Sequence, residues 1–196
     1  MGMSFIRSGE HLSLVNNWMS WEGGFDLVAM TQAGLPMPNV IVHVARMVHT
    51  PVGSAPAGMV MTPGPTGMPE VMGFVSPDAK VGAYFGPRIF AGTPFENAPV
   101  LLGSIEIGSG SLPASVSATV KVGGVTIAAT MSGLGALASH VRAPAAMPPF
   151  SQMVLEAVAT SATMSKNGQN VALVIPPVGI SGGPAAVWSA TGIYAR

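Results

Sequence analysis

The side chains best suited to chemistry in this chain are its four histidines, His11, His43, His49 and His140. His43 and His49 are six apart. In a strand they would share a face but stand ~20 Å apart. In a helix, at ~100° per residue, they would point in different directions. Neither arrangement lets the two share one ion, so a zinc site built from His43, His49 and His140 needs the fold to assemble it. No HExxH pattern and no cysteine is present, so thiolate sites and disulfides are excluded. The expectation is ordinary polar or partly buried imidazoles.

Other candidates reduce in the same way. Met59, Met61, Met68 and Met72 cluster in a stretch rich in Pro and Gly. Thioethers suit Cu(I), but methionine is also an adaptable filler of irregular apolar contacts, and 14 of them are spread over the chain. Packing is the expected role, and no zinc or copper cofactor is expected. Gly179-Ile180-Ser181-Gly182-Gly183 has the letters of a nucleophile elbow. That motif needs a strand, a strained turn and a helix, with its histidine downstream. Here Pro176-Pro177 and Pro184 flank it, and no histidine follows His140. The acids Glu10, Glu22, Asp26, Glu70, Asp78, Glu96, Glu106 and Glu156 are scattered and read as solvated surface. There is no P-loop and no dinucleotide fingerprint. The chain is expected not to be an enzyme.

Charge is scarce: 8% of the 196 residues are Asp, Glu, Lys or Arg, against ~25% in ordinary soluble domains. Eight acids balance eight bases, so no basic patch exists and nucleic acid is excluded as a partner. Much of the surface must be apolar or neutral, and extended apolar surface marks interaction sites. Trp18, Trp21 and Trp188 are candidate interface anchors, since tryptophan is enriched at binding hot spots. Val122–Val141 is free of charges but carries Gly123, Gly124, Gly133 and Gly135. It is not expected to supply the ~20-residue apolar helix a membrane span requires. Met1–Glu10 lacks the form of a signal peptide. The expected site of synthesis is therefore the cytoplasm, the final compartment being left open between staying there and export, as part of an assembly, by a route that needs no signal peptide.

The elements that must position these residues are mostly strands. Gly 25 and Pro 18 punctuate the chain, favouring short strands and turns over long helices. In Val116–Met131 two period-two runs flank Gly123-Gly124, which predicts a hairpin with a primed turn. A second hairpin is predicted over Met153–Ile175, turning at Asn167-Gly168. Further strands are predicted at Phe25–Met30, Val40–Val48, Val71–Val75, Ala83–Phe90, Val100–Ile107 and Val187–Tyr194. Pro51–Pro69 reads as an irregular loop. Leu12, Val15 and Met19 at helical spacing predict one short N-terminal helix over Gly9–Trp21. The expected fold is mostly β, built of short antiparallel strands and hairpins as a sandwich, barrel or cone. It forms one domain over 1–196, with 1–50 as a candidate N-terminal appendage.

Two stretches resemble PAAR-like proteins, the β tips on the spikes of contractile secretion systems. Ser109–Met131 (S-G-S-L-P-A-S-V-S-A-T-V-K-V-G-G-V-T-I-A-A-T-M) is similar to their Gly-Ser and Val-x-Val-x-Gly-x-x-Ala-Ala segment. Thr31–Val40 (T-Q-A-G-L-P-M-P-N-V) is similar to their Pro-x-Pro-Asn-Ile stretch. The resemblance implies a cone with a flat base that binds a trimeric partner. The Pro-Ala-Ala-Arg signature and the cysteine of the tip zinc site are absent. Trp21–Met30 (W-E-G-G-F-D-L-V-A-M) resembles the opening of tubular lipid-binding proteins, which implies an apolar cavity. The expected function is a structural or interaction module, a tip or cap of a larger assembly. The alternatives are a binder of lipid or another hydrophobic ligand, and a self-assembling coat or inclusion protein.

Overall fold

A computed structural model of the chain describes residues 18–66, 68–144, 150–179 and 182–195. Among the described residues eleven strands follow one another with one helix among them. In chain order they are β1 (Trp18–Ala29), β2 (Val40–Thr50), β3 (Gly53–Pro63), β4 (Pro69–Ser76), α1 (Ala79–Ile89), β5 (Val100–Gly108), β6 (Ser115–Val122), β7 (Val125–Leu134), β8 (Ala138–Arg142), β9 (Ser151–Lys166), β10 (Gln169–Val171) and β11 (Ala186–Ala195). The mostly β expectation holds. So do both hairpin turns: Gly123 and Gly124 have φ of 57° and 79°, and Asn167 and Gly168 have φ of 50° and 80°. These are the left-handed pairs that primed turns need.

The sheet closes on itself. Neighbours run β9-β11-β1-β2-β3-β4-β5-β6-β7, and β7 pairs back to β9. The long strand β9 makes this closure by working in two halves. Ser151–Val158 pairs with β11, and Ala159–Lys166 pairs with β7. β8 continues the line of β7 along the first half of β9, and among the described residues no strand pairs its outer edge. All ring pairings are antiparallel except β4 with β5. A parallel pair needs a crossover, and α1 lies in that connection.

The ring is filled. Leu27, Val40, Val42, Val60, Val75, Val120, Ile127 and Met131 are fully buried in one cluster inside it. Each buried aliphatic side chain of this size contributes about 1.5–3 kcal/mol relative to exposure. A second core lies on the outside of β1–β4, under α1. Ile41, Met59, Met61 and Phe74 pack there against Val81, Tyr84, Ile89 and Phe90. Asp78 caps α1, its Oδ1 accepting from the N–H groups of Lys80 and Val81. Gly86 brings the helix close enough that a Cβ there would lie 2.3 Å from the Phe74 ring.

Four expectations are corrected. The predicted strand Ala83–Phe90 is helix to Ile89, with Phe90 as its C-cap: the Asp78 cap and the burial of Val81, Tyr84 and Ile89 on one face outweigh Gly82, Gly86 and Pro87. Pro51–Pro69 is not an irregular loop, since most of it is β3, a strand inside the ring. The one helix described is α1 and is not N-terminal. Of the expected helix Gly9–Trp21, Trp18–Trp21 is strand in β1, and residues 9–17 lie outside the described residues. Residues 18–50 are no appendage, because β1 and β2 stand between β11 and β3. No helix among the described residues is long and apolar enough to cross a membrane.

Candidate functional site

The site is a groove on the outer face of the sheet, and its floor is written in the strand register. Glu156, Ser189, Gly24, Ala45 and Ala57 stand directly opposite one another across β9, β11, β1, β2 and β3. Apart from the glutamate, all are small. One flanking row holds Val154, Gly192, Trp21 and Val48. The other holds Val187, Asp26, His43 and Met59. A row of small residues between two rows of large ones leaves a trough. Arg142 and Glu156 stand at its β9 end, with Gly183 and Pro184 also lining it.

Simple alternation could not build this trough. Trp21 and Gly24 are three apart yet both face it, because Gly23 sits between them at φ 61°. The pairing of β2 with β3 shifts between Ala45 and Val48, and that of β11 with β9 shifts between Ser189 and Thr191. These irregularities lie side by side in the sheet. Bulges re-aim side chains and are common beside functional sites. Gly192 completes the trough. A Cβ there would lie 2.1 Å from the Trp21 ring, so the indole lies down on the strand. Its Nε1 donates to Ser189 Oγ at 2.7 Å, and its ring centroid is 4.8 Å from that of Tyr194.

Two ion pairs sit in the walls. His43 Nδ1 lies 3.1 Å from Asp26 Oδ1, with both side chains about a fifth exposed. Burial disfavours the charged imidazole, but the Asp26 charge and hydrogen bonding to Asp26 outweigh it, and the His43 pKa is raised above its ordinary value. Glu156 is 6% exposed and is held by both terminal nitrogens of Arg142, with His140 Nε2 at 3.8 Å. Arg142 also donates to Gln152 Oε1 at 3.2 Å, and Gln152 Nε2 donates to Tyr194 at 3.2 Å. Burial holds the Tyr194 phenol well above its usual pKa. The charges of Asp26 and Glu156 add to that, and Arg142 opposes it.

The opposite face of the same strands is different. Tyr194 faces the groove, so its neighbour Ile193 faces away. Register places Val141, Met153, Ile193, Ser20, His49 and Ser54 in one row across six strands. The polar half is self-satisfied: His49 Nδ1 and Ser54 Oγ are 2.9 Å apart, and His49 Nε2 is 3.2 Å from Glu22 Oε1. The apolar half is bare. Val141, Met153 and Ile193 are 72%, 56% and 38% exposed.

Compared with known protein families, curated proteins and solved structures, the chain matches none.

The residues singled out from sequence are dispersed. His43 lies in the groove, and the irregularity in β2 turns His49 to the other face. His140 stands beside Glu156. Among the described residues no group of three or more His, Asp or Glu is placed to hold a metal. Trp21 walls the groove, Trp188 packs on the barrel core, and Trp18 is half-buried at the start of β1. His11 and the Ile180-Ser181 pair of the elbow-like motif lie outside the described residues. Glu156 is not solvated surface, because the β8–β9 pairing brings Arg142 to it. Sequence reasoning missed Arg142, Gln152 and Tyr194. The only signal was Arg142 and Glu156 lying either side of a Pro-rich stretch of sequence.

Proposed function

We propose that this chain is a non-enzymatic interaction module that docks a protein partner through the apolar row Val141–Met153–Ile193. The carrying observation is that three large apolar side chains stand exposed in direct cross-strand register. Isolated exposed apolar residues are ordinary, whereas contiguous ones mark interaction sites. The row ends at β8, whose outer edge pairs with no described strand. An added strand would gain main-chain hydrogen bonds there while its side chains covered Val141 and Met153. Charge scarcity supports the same reading, and a tip or cap in a larger assembly is a role of this kind. The barrel interior is filled by its own side chains, so a lipid-carrying tube draws no support from it.

The test is photocrosslinking in the cells that make the protein. A photoreactive residue is placed at position 153, with position 102 as control, since Leu102 is 68% exposed elsewhere on the ring. A discrete product from 153 and none from 102 is expected. A product at twice the chain mass would name a second copy as the partner. No product from 153, or the same product from both positions, would overturn the proposal.

A further inference from the structure

We propose that residues 9–17 fold back as a short helix over the exposed row Val141–Met153–Ile193 and keep it covered until a partner displaces them. This inference rests on the docking role proposed for that row and adds its regulation.

The row lies on the lining side of the ring. Ala157 stands opposite Trp188, and Trp188 opposite Phe25. Phe25 belongs to the interior cluster and Trp188 packs on it. Alternation along β9 puts Leu155 and Met153 on the same side as Ala157. Burial falls along that line, from buried Ala157 through half-buried Leu155 to exposed Met153. The ring ends before the strand does: β7 stops pairing with β9 at Leu134 and Ala159. The side of the sheet that the ring fills with its own side chains therefore continues past the ring, and there its apolar side chains stand exposed.

The chain outside the described residues arrives at this place. Residues 1–17 precede β1. The first residue of β1, Trp18, is two positions from Ser20, which stands in the row opposite Ile193. Asn16 and Asn17 come just before it, and asparagine is at home at helix ends and in turns. The chain can thus reverse onto the sheet. Length fits as well. From β1 across β11 and β9 to β8 is three strand spacings, ~14 Å. A nine-residue helix is also ~14 Å long.

The pattern of the segment matches the surface. At ~100° per residue Leu12 and Val15 fall on one side of that helix. Glu10, Ser13 and Asn17 fall on the other, and Leu14 lies outside the stripe. A stripe of this kind needs an apolar surface to face, and Val141, Met153 and Ile193 supply one without a charge. Tethering adds the rest. A segment on a short linker acts at an effective concentration in the millimolar range, so a contact too weak to join separate molecules still closes.

The test uses the full chain. It has no cysteine, so Ser13→Cys carries a single nitroxide on the polar side of the segment. The readout is the ¹³C-methyl signal of Met153, with exposed Met37, in the connection beyond the far end of β1, as control. Each signal is assigned by its loss on substitution with Leu. The nitroxide is expected to erase Met153 and spare Met37. Leu12→Asp with Val15→Asp is expected to restore Met153. The same pair should raise photocrosslinking from position 153 by about tenfold if the row is covered about nine-tenths of the time. Should that pair fail to fold, Leu12→Ser with Val15→Ser makes the milder change. Erasure of Met153 with no product from 153 in either protein would support the contact and overturn the docking role. A product from 153 without erasure would keep the docking role and overturn the cover. Erasure when nitroxide and ¹³C sit on separate chains would assign the contact to a second copy and overturn it too. Equal loss at Met37, loss that survives the double substitution, or a crosslinking yield that does not rise with it would have the same meaning.

Discussion

The molecule buries apolar surface twice, by different means. Inside the ring, period-two alternation sends Leu27, Val42, Val60, Val120 and Ile127 to one cluster with no charged member. On the outer face, the core of Met59, Phe74 and Phe90 grades into ion pairs, a tyrosine hydroxyl and a trough. Regular strands fill the first. Shifted register and a left-handed glycine shape the second. The contrast teaches that regular alternation fills one side of these strands, whereas broken alternation shapes a trough on the other. A packed interior tolerates no vacancy, whereas the outer face keeps a vacancy and lines it with polar groups.

Substitutions can break or sharpen this contrast. The largest effect is expected inside the ring. Leu27→Ala should lower unfolding free energy by roughly 2–5 kcal/mol, read by denaturant titration with an unchanged slope. Arg142→Ala should cost about 3 kcal/mol, because it leaves the buried Glu156 charge unpaired. Replacing both partners, as Arg142→Leu with Glu156→Leu, should recover most of that loss. If the double variant is no better than the single one, the outer core is not a polar exception to apolar packing. Gly192→Ala should cost about 1–2 kcal/mol through the displaced Trp21 ring, with a change in tryptophan emission.

The smallest effect concerns pH. The His43 pKa is raised on folding, so the folded state binds this proton more tightly than the unfolded state does. Its stabilisation is complete below the ordinary imidazole pKa and is lost as pH rises through the folded value. The stability difference between the protein and His43→Gln should therefore shrink from mildly acidic to alkaline pH. A difference that grows with pH would show that Asp26 does not control His43.

The turns were the most legible part of the sequence, because Gly123-Gly124 and Asn167-Gly168 carry their conformation in their own residues. β3 was not legible. Pro56 lies in it, and proline is confined to edges and bulges in sheets. Pro56 sits where β2 slips register, between Ala55 opposite Val48 and Ala57 opposite Ala45, so the breaker and the bulge coincide. α1 was hidden by Gly86, which reads as a breaker but makes the close approach to Phe74. Its cap, Asp78 after Pro77, was a start signal that the β-rich surroundings masked. The groove could not be read at all. Its floor comes from five strands, and its faces depend on irregularities that destroy the period by which faces are inferred.

The double pairing of β9 has a consequence for synthesis. β1 through β7 can assemble in the order in which they leave the ribosome, each on its predecessor. That curl stays open, with β1 and β7 as bare edges, until β9 and β11 arrive. Trp18 finds its partner only at Ala195. Pairings this distant in the chain close slowly, and bare edges template pairing with other chains. Completion of the ring therefore waits until β11 is made. A nascent chain stalled before β9 should clump with its neighbours on a polysome, whereas one released past β11 should not.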